Sequence, residues 1–116
     1  MVGKFLLSRA IVLAASQSAL MLTIGTAAAD CKSGYVWRDA KDGDAVCVTP
    51  GDRAEAKQQN ANATNNVQRG GGAYGPNTCR QGYVWREAFG GDVVCVTPYE
   101  RQKAADQNAQ SASHTN

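Results

Sequence analysis

Four cysteines, two Tyr-x-Trp-Arg strings and a few recurring acids are the residues of this sequence that could do chemistry. The cysteines are Cys31, Cys47, Cys79 and Cys95. Four thiolates could cage a zinc ion, or they could close into two disulfides. Tyr35 and Trp37, and again Tyr83 and Trp85, alternate along short strings and could stack on a sugar ring or grip a peptide. Arg38 and Arg86 follow the tryptophans and could take a carboxylate or phosphate bidentately. Asp44 and Asp92 recur once per string, and paired carboxylates can run glycoside hydrolysis, but that chemistry needs a cleft. The sole histidine, His114, falls near the C-terminus outside the repeated strings. No Ser or Cys nucleophile has a base beside it in sequence, and Gly70, Gly71 and Gly72 neither follow a strand nor open a helix as a phosphate loop would.

The strings belong to a duplication. Residues 31–38 (CKSGYVWR) match 79–86 (CRQGYVWR), and residues 46–50 (VCVTP) match 94–98, all at an offset of 48 with no insertion. Arg53 matches Arg101, Ala56 matches Ala104, and residues 59–61 match 107–109. Each copy holds two cysteines at the same separation. A unit that once stood alone could satisfy itself only by pairing Cys31 with Cys47 and Cys79 with Cys95. The short Cys-x2–4-Cys knuckles of zinc modules are missing, so no metal and no cofactor is expected.

The N-terminus sets the compartment. Lys4 and Arg9 precede a largely apolar run over residues 10–25, and Ala27, Ala28 and Ala29 supply small residues for cleavage before Asp30. Residues 1–29 read as a signal peptide, and Ser16, Gln17 and Ser18 interrupt the run as a membrane span. A periplasmic or secreted product with no membrane span after cleavage follows, in a compartment where disulfides persist. Without the leader, ten Lys and Arg face ten Asp and Glu, and a neutral chain lacks the positive field nucleic acid would require.

The elements that must position these residues are small. Tyr35, Val36 and Trp37 are β-prone, as are the valines flanking Cys47 and Cys95, and the turn sequences at 41–44 and 89–92 lie between them. A β-hairpin is expected in each copy. Thr49–Pro50 and Thr97–Pro98 then start a helix, with Thr as N-cap, Pro at the first helical position, and Asp52 or Glu100 three residues on. The helices are expected to fray beyond Asn60 and Asn108. The fold class is a small, disulfide-stapled α+β chain: two tandem copies of a hairpin followed by a short helix. The organisation is a signal at 1–29, module 1 at 30–61, a flexible linker at 62–78, module 2 at 79–110 and a disordered tail at 111–116.

Units of this size have little to bury, so Trp37 and Trp85 are expected in the core, with Tyr35 and Tyr83 half exposed. Arg38 is expected to pair with Asp44, and Arg86 with Asp92, across the hairpin. Arg53 and Arg101 read as a solvated helix face. Tyr35, Trp37, Arg38, Tyr83, Trp85 and Arg86 are the candidate binding residues, and no catalytic residue is assigned.

The pattern Cys-x2-Gly-Tyr-Val-Trp-Arg, followed by Gly-Asp-x-Val-Cys-Val-Thr-Pro, resembles a short cysteine-pair repeat of exported bacterial proteins, over residues 31–61 and 79–109. The resemblance implies an exported module and brings no activity with it. The reading is a non-enzymatic binding or structural module, bivalent for an envelope polymer or protein. Two alternatives are a small secreted enzyme using Asp44 and Asp92 or Arg38 and Arg86, and a secreted inhibitor presenting a disulfide-held loop at 41–44 or 89–92.

Overall fold

The computed structural model describes residues 30–116; the leader expected over 1–29 lies outside the described residues. In module 1, β1 (Val36–Trp37) pairs antiparallel with β2 (Cys47–Val48), Val36 opposite Val48 and Trp37 opposite Cys47. Helix α1 (Pro50–Ala61) follows, then one 3-10 turn, Ala63–Asn66. Module 2 repeats this order with β3 (Val84–Trp85), β4 (Cys95–Val96), α2 (Pro98–Gln110) and the turn Ser111–His114. Disulfides join Cys31 to Cys47 and Cys79 to Cys95, each with its Cα atoms 5.6 Å apart.

The helix starts follow from their capping residues. Thr49 accepts from the Asp52 amide at 3.2 Å. Thr97 accepts from the Glu100 amide, and the Glu100 carboxylate accepts from the Thr97 amide at 2.8 Å, closing a capping box. Neither helix stops at the asparagine expected to end it. Asn60 donates to the Ala40 carbonyl at 2.9 Å and Asn108 to the Ala88 carbonyl at 3.0 Å, which ties the last helical turn to its own hairpin.

The core is not where the aromatics suggested. Ala40, Cys47, Val48 and Ala56 are buried in module 1, as are Ala88, Cys95, Val96 and Ala104 in module 2. Between them lie Arg38 and Arg86, each 2% exposed. Trp37, expected inside, is 36% exposed, and Trp85 is only half-buried. Successive strand residues face opposite sides. The buried aspartate claims the arginine for the inner face, and the neighbouring tryptophan must turn outward.

Residues 62–78 and 111–116 form regular hydrogen-bonded structure, in contrast to the flexible linker and frayed tail expected there. Val67 bridges to Cys79, and Gln68 donates to the Thr78 carbonyl at 2.8 Å. The glycines between them close a tight hairpin rather than loosen a coil. Gly71 and Gly75 hold φ of 81° and 88°, and a Cβ on Gly72 would sit 2.8 Å from Thr78 Cγ2. At the other end Thr115 bridges to Cys31, Lys32 donates to the His114 carbonyl at 2.8 Å, and Asn116 donates to the Asp30 carbonyl at 3.0 Å. Val67 and Thr115 are equivalent positions, so the structural repeat extends seven residues past the sequence match on both sides, to residues 68 and 116.

The tail of module 2 therefore bridges to the cysteine that opens module 1, while the tail of module 1 bridges to the one that opens module 2. The helices exchange contacts in the same way: Arg38 donates to Gln107 Oε1 at 3.2 Å and Arg86 to Gln59 Oε1 at 3.1 Å. Reciprocal contacts between equivalent residues are the signature of a two-fold interface, here within one chain. Two pairs of equivalent positions meet near the pseudo-axis. Lys103 Nζ lies 2.9 Å from Glu55, its own counterpart, and Lys41 Nζ lies 4.7 Å from the ring centroid of its counterpart, Phe89.

Candidate binding grooves

Each module has two chemically distinct faces. The inner one is an ion pair. Arg38 Nε donates to Asp44 Oδ2 at 2.8 Å, and Arg86 Nε to Asp92 Oδ2 at 2.7 Å. The same carboxylates accept from the Ala40 and Ala88 amides, each at 2.9 Å. Burial alone would raise the Asp44 carboxyl; the hydrogen bond from Arg38, the Ala40 and Val46 amides and the guanidinium charge together hold it below the usual carboxylate range. Among the described residues no buried side-chain polar atom lacks a partner.

The pairing of arginine with aspartate is as expected, and it takes Arg38 and Arg86 out of the candidate binding set. Both guanidinium groups are spent inside the protein. All four residues of the enzyme alternative are buried: Asp44 is 7% exposed and Asp92 3%. The turns of the inhibitor alternative face each other through Lys41 and Phe89 instead of standing apart as a presented loop.

The outer face is aromatic. In module 2 an open groove of about 370 Å³ is lined by Tyr74, Thr78, Tyr83, Trp85, Glu87 and Arg101, among others. In module 1 a shallower and more open depression of about 380 Å³ is lined by Tyr35, Val36, Trp37, Asp39 and Arg53, together with Asp30 and Cys31. These volumes are at the small end of ligand sites. The structure thus brings Tyr35 with Trp37, and Tyr83 with Trp85, to the wall of one groove per copy. It adds an acid–base pair to each: Arg53 lies 2.9 Å from Asp39, and Arg101 lies 3.9 Å from Glu87, with all four side chains well exposed.

The acids sit on a strained turn. Asp39 and Glu87 both have φ of 54°, in the left-handed region that disfavours residues with a Cβ. The residues on either side, Arg38 with Ala40 and Arg86 with Ala88, are all buried. Two inward positions flanking one outward residue, with the second amide reaching the buried aspartate, force the kink that pushes the acid into the groove.

The tyrosines are partly covered on the ring face. Tyr35 stacks on His114, with centroids 3.9 Å apart and planes 12° apart, and the Arg80 guanidinium lies 5.3 Å from the Tyr83 centroid. Trp85 is fixed by its edge: Nε1 donates to the Asn77 carbonyl at 2.8 Å, and Tyr74 meets the indole edge-on at 6.0 Å. Tyr74 itself is 75% exposed.

Sequence reasoning missed Asp39, Arg53, Glu87 and Arg101 as groove residues, although their recurrence at the common offset was a usable signal. Tyr74 had none, since its counterpart position is Thr26, outside the described residues. Among the described residues no cluster of His, Cys, Asp and Glu could hold a metal ion, and no helix is long and apolar enough to cross a membrane. No protein-family model, no curated protein and no solved structure matches this chain, so the geometry of the two grooves is what bears on its role.

Proposed function

We propose that the chain is an exported, non-catalytic binding module with two aromatic grooves, directed at an envelope polymer or protein outside the cytoplasm. The recurrence of one groove per repeat, with the same Tyr, Trp, acid and Arg at the same offset, carries this reading. Residues that only packed the module would be drawn fully inward, whereas these are half-buried or exposed and line an open depression. Two disulfides with no free cysteine suit an oxidising compartment. Bivalency rests on docked modules rather than a slack linker, so the second groove is presented at a set distance once the first engages.

Two measurements test the reading. The intact mass of protein from the exported fraction should begin at Asp30; a retained leader in that fraction would refute the export reading. The mature chain should also sediment with purified insoluble cell-wall polymer or with envelope membranes. A Trp37→Ala, Trp85→Ala double variant should stay in the supernatant, and each single variant should be intermediate. Equal sedimentation of the double variant and the parent would remove the grooves from the account.

A further inference from the structure

We infer that the ligand of the module 2 groove is a neutral saccharide chain, seated with a sugar ring on the face of Trp85; this rests on the binding reading above. Four features of the groove point to that chemistry.

The indole lines the groove and has no donor to give. Its Nε1–H is already given to the Asn77 carbonyl at 2.8 Å. A ligand that needed a hydrogen bond from the indole would find that donor spent. A pyranose ring asks something different of the platform. Its C–H groups are weakly positive and meet the negative face of an aromatic ring without a hydrogen bond.

The platform has a second wall held in place. Tyr74 stands at the tip of the Gly72–Gly75 turn, edge-on to Trp85 at 6.0 Å with an interplanar angle of 65°. Thr78 braces that turn, its hydroxyl accepting from the Tyr74 amide at 2.9 Å and donating to the Gly75 carbonyl at 2.8 Å. Two aromatic rings at a steep angle make a corner that fits a ring with apolar faces and a polar rim.

The rim carries a facing acid and base that offset each other. Glu87 and Arg101 are 3.9 Å apart, loosely paired and exposed by 58% and 43%. A planar donor beside a planar acceptor matches adjacent hydroxyls, which both give and take hydrogen bonds. The Glu87–Arg101 pair by itself favours an uncharged ligand, and the Arg80 guanidinium, 5.3 Å from the Tyr83 centroid, adds one positive charge beside the groove that the polyuronate arm of the titration below tests.

Finally, the groove recurs in module 1 with Trp37, Asp39 and Arg53, as a polymer of repeating units would exploit. Tyr74 lines the module 2 groove, and the inference is placed there.

The test uses the mature chain carrying Trp37→Phe, so that Trp85 is the sole tryptophan reporter. Its fluorescence is titrated with soluble β-1,4-linked glucose and N-acetylglucosamine oligomers, with a proline-rich peptide, and with an anionic polyuronate. Saturable quenching or a blue shift is expected with at least one neutral oligomer, tightening with chain length. Tyr74→Ala and Glu87→Gln should each weaken it about tenfold or less, with far-UV circular dichroism unchanged, and Trp85→Phe should retain part of the affinity by isothermal calorimetry. Silence with both neutral oligomers overturns the inference. Saturation by the peptide or the polyuronate instead, abolished by Tyr74→Ala, overturns the saccharide and keeps the binding module. Silence with every probe, together with sedimentation insensitive to the double tryptophan variant, overturns both.

Discussion

The two modules agree in their interiors and differ where they meet and where they face outward. Inside, Arg38–Asp44 and Arg86–Asp92 superpose in role, in hydrogen-bond partners and nearly in distance. At the pseudo-axis the counterparts are unlike: Glu55 faces Lys103, and Lys41 faces Phe89. At the groove, module 2 has the Tyr74 hairpin as a wall, while module 1 has Tyr35 stacked on His114 from the opposite tail. A buried charge has one acceptable set of partners and cannot drift. Residues on a two-fold axis are under the opposite pressure. In a symmetric pair of identical units each would face itself, Glu on Glu or Lys on Lys, and fusion into one chain lets the counterparts become complementary.

Breaking the common interior should cost most. Asp44→Ala and Asp92→Ala each leave a buried guanidinium uncompensated and should destabilise by about 3–5 kcal/mol, measured by urea unfolding. Similar values for the two would support the equivalence of the interiors; a large cost in one copy alone would break it. The Asp44 carboxyl also makes stability depend on acid. Its folded-state pKa lies below its unfolded one, so the stabilisation is fully present above the ordinary carboxylate range and is lost as pH falls through the depressed value. The urea midpoint of the parent should therefore drop on acidification below about pH 4, and Asp44→Asn should flatten that drop.

The disulfides come next. Each closes a loop with a sequence separation of 16, and removing either pair through Cys→Ser should cost about 3 kcal/mol. Because the tails are exchanged, loss of one disulfide should lower the thermal midpoint of the whole chain. Two separate transitions in calorimetry would mean that the modules are independent despite their contacts.

Deleting residues 111–116 sharpens the comparison further. It removes the Ser111 hydroxyl from the Cys47 amide, the His114–Tyr35 stack and the Thr115 bridge to Cys31, all contacts to module 1. A loss of about 2 kcal/mol is expected from the hydrogen bonds and the stack. Hydrogen exchange should accelerate at Lys32 and Cys47 more than at Arg80 and Cys95.

The axis should show the smallest effect. Lys103→Glu sets like charges face to face and should cost about 0.5–1 kcal/mol, since the site is partly solvated. Reversal in Glu55→Lys, Lys103→Glu should recover part of that loss; the Asp52 carboxylate, 3.2 Å from Lys103, keeps the recovery from being complete.

Much of the module was legible in the residues alone. The duplication at an offset of 48 assigned the disulfides, because each copy had to satisfy its own cysteines. Thr–Pro with a following acid marked both helix starts, since capping is a local interaction among residues three apart. The recurring Arg and Asp announced their pairing. What only the tertiary structure decided was which side of each strand faces inward, and what lies beyond the matched strings. Burying Arg38 and Arg86 turned both tryptophans outward, a choice between two strand faces that composition does not make, and so converted an expected core into the walls of two grooves. The exchange of tails was invisible because Asn66 and His114, or Val67 and Thr115, share no residue identity: the contacts they have in common run from backbone amides and from unlike side chains to equivalent carbonyls, and only a particular chain path brings those together.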